Sequence, residues 1–442
     1  MLKNKVYLIV FSLVVGVLFY FLYNSDIQKK THSHNDSPNL SGEKIKFLVT
    51  ITQARAARAL ADWYTKETKA VVQITEIGYD ETYRKTLEDI RSSDPQYDIF
   101  IIWYPELGDL IRNKALLDLT DWIEENKETI QPQDFIPRIY DAYTLQKGRR
   151  WALPFDGDTH VLFYRKSILS KHNLNPPETW DDYLNVSRTI TEKEKVNGIY
   201  GTAIMSYKAP ILILSSFLNR VGGYGGQLLT KDGRPSLDTP EVKMALESLL
   251  EQAEYALPSP LETSFEVSRD SFLSGRVAMV EQWTDIGVMA EDNSESTIRG
   301  DWGAIQMPKG SGKNAQHAPA LNAGFALAIS SKAPNLEVAK DFLLFAVRPD
   351  IMAKYNVLNG GTDPTRISIL KSDDYRKFAP EVSAAAEAAL FNATPWPNIP
   401  GSRKLMQILS DNIVLALRKK ISVENAISDT QKRWTEIIDS TN

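Results

Sequence analysis

The sequence predicts an α/β fold in which a parallel sheet lies between helices, preceded by one N-terminal membrane helix. Three observations carry this expectation. Strand-length apolar runs alternate with helix-length amphipathic segments from Lys44 to Trp103, the β-α-β-α-β rhythm of a parallel sheet. The third of these runs, Asp98 to Trp103 (DIFIIW), is continuously apolar after its acidic start, as expected of a strand covered on both faces. At the N-terminus, Val6 to Tyr23 is an uncharged run preceded by Lys3 and Lys5. At about 1.5 Å per residue it reaches roughly 27 Å, close to the ~30 Å hydrocarbon core of a bilayer.

Taken in order, residues 1–23 are the membrane segment. The run exceeds the apolar core of a cleaved signal peptide, about 7–15 residues, and it ends in Tyr20, Phe21, Leu22 and Tyr23 with no small-x-small site nearby. This favours an uncleaved signal anchor over a cleaved signal peptide. Residues 24–43 are polar and read as a flexible linker, in which His32 and His34 are read as solvated. The body then opens with a strand from Lys44 to Ile51. A helix from Ala54 to Thr68 follows, with an apolar stripe of Ala57, Leu60 and Tyr64. A strand at Val71 to Ile77 and a charged helix near Glu81 to Arg91 precede DIFIIW. The rhythm breaks near Pro154. Beyond it come a strand at Val161 to Tyr164, the polar loop NPPETW and a helix from Thr239 to Tyr255. A second strand-helix unit spans Phe325 to Ser330 and Leu336 to Val347, and Arg403 to Ile438 reads as helical throughout. No internal repeat of fixed period is present, which argues against a solenoid or propeller.

Composition removes several classes of function. The chain has 442 residues and a formal net charge of −5. Residues 1–44 carry five basic and three acidic residues, so the body is more acidic still, with a net charge of −7. Nucleic-acid binders show the opposite balance. Cysteine is absent, which excludes disulfide frameworks, thiol catalysis, Fe–S clusters, cysteine zinc sites and a lipid-modified cysteine anchor. The cluster GGYGG (Gly222 to Gly226) and the segment GSGK (Gly310 to Lys313) lack the full pattern of a phosphate-binding loop and read as turns. With no HExxH and no GxSxG, catalytic zinc and the commonest serine-hydrolase signature are disfavoured. No metal, cofactor or catalytic residue is expected.

The segment Pro154 to Lys166, PFDGDTHVLFYRK, carries the clearest chemistry. Asp156 and Asp158, two apart in an extended chain, lie on one side of it. Carboxylates accept charge-assisted hydrogen bonds from hydroxyl groups, so the pair suits ligand hydroxyls. Structural capping of a crossover is the plain alternative. Glycoside hydrolysis is the weakest reading, since its two carboxyls flank the scissile bond from opposite sides. Trp103 ends a predicted strand, and Trp283 follows SFLSGRVAMVEQ. An aromatic at a strand's carboxyl end can stack on the C–H face of a pyranose, or simply fill the core. Trp396, in TPWPNIP, is open to the same two readings, whereas Trp63, Trp122 and Trp434 fall within helical patterns and are expected in the core.

From about Lys44 to Ile438 the chain resembles the extracellular solute-binding proteins of bacterial ABC transporters, in the sugar-binding group that includes maltose-binding protein. The landmarks, in order, are YDIFIIW (Tyr97 to Trp103), NKALLDLTDWI (Asn113 to Ile123), WALPFDGDTHVLFYRK (Trp151 to Lys166), PPETWDDY (Pro176 to Tyr183), SFLSGRVAMVEQW (Ser271 to Trp283), GFALAIS (Gly324 to Ser330), AKDFLLFAV (Ala339 to Val347) and GGTDPTR (Gly360 to Arg366). The resemblance implies two α/β lobes joined by a hinge, with a neutral sugar, oligosaccharide or polyol held between them and delivered to a permease. Lobe 1 would comprise 44–155 and 302–350, and lobe 2 would comprise 156–301 and 351–442. It implies stacking roles for Trp103 and Trp283 and hydroxyl-binding roles for Glu106 and Asp158. Asp156 and Arg366 would be pocket positions, and Gln53 and Tyr224 are added from loop placement. A monomer outside the cytoplasm, held at the membrane by its N-terminal helix, is expected. The chain departs from the family pattern in lacking a lipidated cysteine, and Ala323-Gly324 stands where a glycine pair is common. A glycoside hydrolase and a membrane-tethered sugar sensor remain the alternatives.

Overall fold

The computed structural model describes residues 40–157, 160–206, 209–284, 286–292, 294–358 and 362–441. The expected membrane helix and nearly all of the linker lie outside these residues, as does Asp158. Among the described residues no helix is long and apolar enough to cross a membrane.

Two sheets organise the chain. The first has five strands in the order β2-β1-β3-β11-β6, with β1 at Lys44–Thr50, β2 at Val71–Ile77, β3 at Ile99–Trp103, β6 at Leu153–Asp156 and β11 at Phe325–Ile329. The hairpin β4 (Leu145–Gln146) and β5 (Arg149–Arg150) lies just ahead of β6. The second sheet has three strands in the order β8-β7-β9, with β7 at His160–Arg165, β8 at Met279–Trp283 and β9 at Trp302–Ile305. A short parallel pair, β10 (Ala320–Leu321) with β12 (Thr394–Pro395), lies apart from both.

The expected parallel sheet holds only for β1, β2 and β3. β11 runs antiparallel to β3 and β6, and the second sheet is antiparallel throughout. The reason is connectivity. β11 enters the first sheet after the chain has visited the second, so it arrives from the opposite end. Two boundaries of the expected lobes also move. Trp302–Ile305, placed with lobe 1, is hydrogen-bonded to β7 in the second sheet. The helix Pro349–Asn356, placed largely in lobe 2, packs on the helix Ala54–Thr68 beneath the first sheet.

The local chemistry explains these elements. In Ala54–Thr68 the side chains of Ala57, Leu60, Ala61 and Tyr64 are buried at helical spacing, and the helix stops at Lys69, whose φ of 69° is left-handed. Tyr64 meets Phe342 and Phe345 edge-on, with ring centroids 5.0 and 5.3 Å apart. Every residue of β3 is buried, so each of its large side chains contributes about 1.5–3 kcal/mol of transfer free energy.

Arg403 to Ile438 is not one helix. It breaks into Ser402–Leu417 and Val423–Thr441 around Lys419, which has a φ of 56°. The intervening Arg418, Lys419 and Lys420 offer no apolar face, and folding back lets Trp434 reach the first helix, where its Nε1 donates to Leu405 O. The GGYGG cluster also has a packing role: a Cβ on Gly223 would stand 2.3 Å from Trp180 Nε1, and one on Gly222 would stand 1.9 Å from Thr394 Oγ1.

Candidate functional site between the two sheets

Strand register places the candidate residues at facing rims. In the first sheet Asp156 pairs with Phe325, and Phe325 pairs with Trp103, so the three stand side by side where β6, β11 and β3 meet. In the second sheet His160 pairs with Trp283, at the start of β7 and the end of β8. His160 follows Asp156 by four positions, so their Cα atoms stand within about 14 Å of each other.

A chain of polar contacts runs from one rim to the other. Gln53, buried in the turn Ile51–Gln53 after β1, donates from Nε2 to Asp156 Oδ2 at 2.8 Å. Its Oε1 accepts from the hydroxyls of Thr50 and Thr52, so the amide is fixed with its nitrogen toward Asp156. Asp156 Oδ1 accepts the backbone N–H of Asp363 at 2.8 Å. The Asp363 carboxylate accepts from Thr284 Oγ1 at 2.6 Å, and Thr284 directly follows Trp283. Gly157 N donates to Asp363 O, an isolated bridge between two of the segments that pass from one sheet to the other. The structure thus unites Gln53, Asp156 and, through Thr284, Trp283.

Trp103 shares the rim but is only 5% exposed. Its Nε1 donates to Asn322 O at 2.9 Å, and Tyr79 meets it edge-on at 5.3 Å. Trp283 is half-buried, between His160 at 4.4 Å and Phe265 at 5.7 Å.

Three expected site residues stand outside this chain of contacts. Glu106 is 1% exposed and ion-paired with Arg403, whose guanidinium also lies over Trp103 and Tyr83. Arg366 is fully buried. It donates to Ile130 O and Val347 O, both at 2.6 Å, and to Gln131 O, and it stacks over Phe135. These carbonyls end two helices, so the guanidinium closes helix termini and does not face the rim. Tyr224 packs against Gly310 and Ser248, and burial raises its pKa. Trp396, open in sequence to stacking on a ligand or filling the core, is buried, with Nε1 donating to Ser402 Oγ.

Sequence reasoning missed Tyr79, Thr284, Asn322, Asp363 and Arg403. Tyr79 could have been found, because it follows β2 as Trp103 ends β3. The others arrive by contacts across long sequence separations, which no local pattern marks.

Two sheets with helices around them, joined by several crossing segments that carry tryptophans and carboxylates at the strand ends, define the architecture of a two-lobed α/β binding protein. Residues 50–353 match the family described as bacterial extracellular solute-binding protein, and the chain belongs to that family. A Sinorhizobium fredii relative, named a "probable amino-acid ABC transporter periplasmic-binding protein", is 22% identical over 398 residues, 88% of each chain. Among solved structures, an ABC transporter solute-binding protein from Agrobacterium radiobacter K84 in complex with ribitol superposes with a TM-score of 0.77 at 23% identity, covering 91% of this chain and 100% of that one. A maltose-bound protein of T. maritima superposes with a TM-score of 0.76 at 21% identity, over 90% and 100%.

Proposed function

We propose that the protein is the substrate-binding component of an ABC importer, capturing a neutral sugar, oligosaccharide or polyol between its lobes and presenting it to a permease. The observation that carries this reading is the pairing of Trp103 and Trp283 at facing rims with the Gln53–Asp156–Asp363–Thr284 chain between them. Aromatic faces suit the C–H surfaces of a polyol or pyranose, and carboxylates and amides suit its hydroxyls. The ribitol and maltose held by the two similar structures support the same ligand class. Asp158, two residues beyond Asp156, is assigned to the same ligand. Glu106, Arg366 and Tyr224 are assigned to support of the fold.

Ligand would select a closed arrangement of the lobes by its higher affinity for it, and the closed form would dock on the permease. The acidic body disfavours anionic ligands. We assign Val6 to Tyr23 as an uncleaved anchor holding a monomer on the outer face of the membrane, which raises its concentration near the permease. Nothing in the arrangement calls for bond-breaking chemistry.

A thermal-shift screen of sugars, polyols, amino acids and peptides tests the ligand class. At 100 times its dissociation constant a ligand adds about 2.7 kcal/mol of stability. A shift with an intact carbohydrate, whose affinity falls at least tenfold in Trp283→Ala, is the expected result. A shift with amino acids alone would favour the class in the Sinorhizobium fredii relative's name and overturn the carbohydrate assignment.

A further inference from the structure

Beneath Trp283 lies a buried polar network whose orientation can be worked out atom by atom. Asn219, on the helix Pro210–Gly223, accepts the backbone N–H of Ala320 at its Oδ1, at 2.6 Å. A backbone N–H can only donate, so the amide orientation is fixed and Nδ2 faces the other way. That Nδ2 lies 2.8 Å from Glu281 Oε2 and 3.1 Å from His160 Nδ1. An amide nitrogen can only donate, so His160 Nδ1 accepts and carries no proton. The neutral ring therefore bears its hydrogen on Nε2. Glu281 is held in turn by Arg220, at 2.9 Å, and Arg220 lies over the ring of Trp180 at 4.2 Å.

His160 is completely buried, and its Nε2 has no nitrogen or oxygen partner among the described residues. The ring stands perpendicular to the Trp283 indole, with an interplanar angle of 90° and centroids 4.4 Å apart. A buried donor left unmade is costly, and an aromatic π face is an acceptor of modest strength.

We propose that His160 is the positioning residue of Trp283: it directs Nε2–H into the indole π face and fixes the ring at the cleft rim. Asn219 sets the imidazole, Ala320 sets Asn219, and Ala320 lies two residues before Asn322, whose carbonyl holds Trp103. Both rim tryptophans are thereby referenced to one segment, Ala320 to Asn322, where the chain passes between the sheets. The proposal rests on the assignment of Trp283 to the ligand only for its effect on affinity; the geometry stands by itself.

The first test is nuclear magnetic resonance on the unaltered protein. Imidazole nitrogen shifts should show His160 protonated at Nε2 alone, with that proton moved upfield by the indole ring current. A proton on Nδ1, or no upfield displacement, overturns the proposal. In His160→Leu the Trp283 indole N–H should lose order, its order parameter falling from about 0.85 toward 0.6 or below, with partial recovery in His160→Gln, which keeps an N–H donor. An unchanged order parameter in a folded His160→Leu protein overturns it as well. If His160→Leu does not fold, the tautomer and proton shift decide alone. The effect on affinity is then read with ribitol and maltose as probes. His160→Leu should weaken binding about tenfold in the wild-type background and less than about twofold in Trp283→Ala, because the histidine acts through the tryptophan. Equal weakening in both backgrounds would reduce His160 to a packing residue. Failure of both probes to bind the wild-type protein would count against the carbohydrate reading and leave the resonance test to judge His160.

Discussion

Arg366 shows how a charged residue can serve the fold from within. Its guanidinium meets the carbonyls of Ile130, Gln131 and Val347, the sulfur of Met352 and the ring of Phe135. Replacing it by Ala leaves buried carbonyls without donors and opens a cavity, so Arg366→Ala should lose about 3 kcal/mol in denaturant unfolding while the folded protein retains its ligand affinity. His160 makes a second residue-scale prediction. Burial holds its pKa near about 3, far below the usual 6.5. Between those values the unfolded chain binds a proton that the folded chain refuses, so stability falls as pH falls from about 6.5 toward 3. The contribution reaches about 1.4 kcal/mol per pH unit, and the slope should flatten in His160→Gln when urea unfolding is compared at pH 7, 6, 5 and 4. Strand-end placement, the Asp156–Asp158 spacing and the family resemblance marked Trp103, Trp283, Asp156 and Gln53 as candidates. They marked Arg366 and Glu106 alike, with no sign that buried carbonyls and Arg403 claim them. A buried arginine and a rim arginine look alike until the distant carbonyls and carboxylates that claim them are known.

At the level of single elements, apolar periodicity was the readable part, and the caps came with the structure. The helix Trp180–Glu194 begins with a full capping box: Thr179 Oγ1 accepts from Asp182 N, and the Asp182 carboxylate accepts from Thr179 N. Thr179→Ala should therefore cost about 1 kcal/mol, measurable as a lowered midpoint in thermal unfolding with unchanged affinity. The helix Ala54–Thr68 and the strand Val71–Ile77 coincide with their apolar periodicity. The break at Lys419 was hidden, because helix-compatible residues run through it and only the antiparallel packing of the two halves demands a turn. Strand direction was hidden for a similar reason. Nothing within FALAI distinguishes a strand running parallel to its neighbours from one running against them; the route taken by the preceding residues settles it.

For the molecule as a whole, the crossings between the sheets matter most. One passes at Gly157, a second at Asn322 and Ala323, and a third at Asp363, and the first and third are bridged by Gly157 N–H to Asp363 O. This approach needs glycine, since a Cβ on Gly157 would lie 2.7 Å from Pro364 O. Gly157→Ala should push the two segments apart. The expected result is a lowered melting temperature and a weakened ligand response, together with a radius of gyration in small-angle scattering that contracts less on adding ligand than that of the wild type. Two α/β lobes could be expected from the ordered landmarks along the chain. Their boundaries could not, because each strand at a crossing is short enough to join either sheet. The bridged crossings also limit what the lobes can do. A door hung from a post swings more easily than it twists: rotation out of its plane would cost the Gly157–Asp363 bridge. On the importer reading proposed above, occupancy would then be expressed mainly as one angle, which an outside reader could gauge.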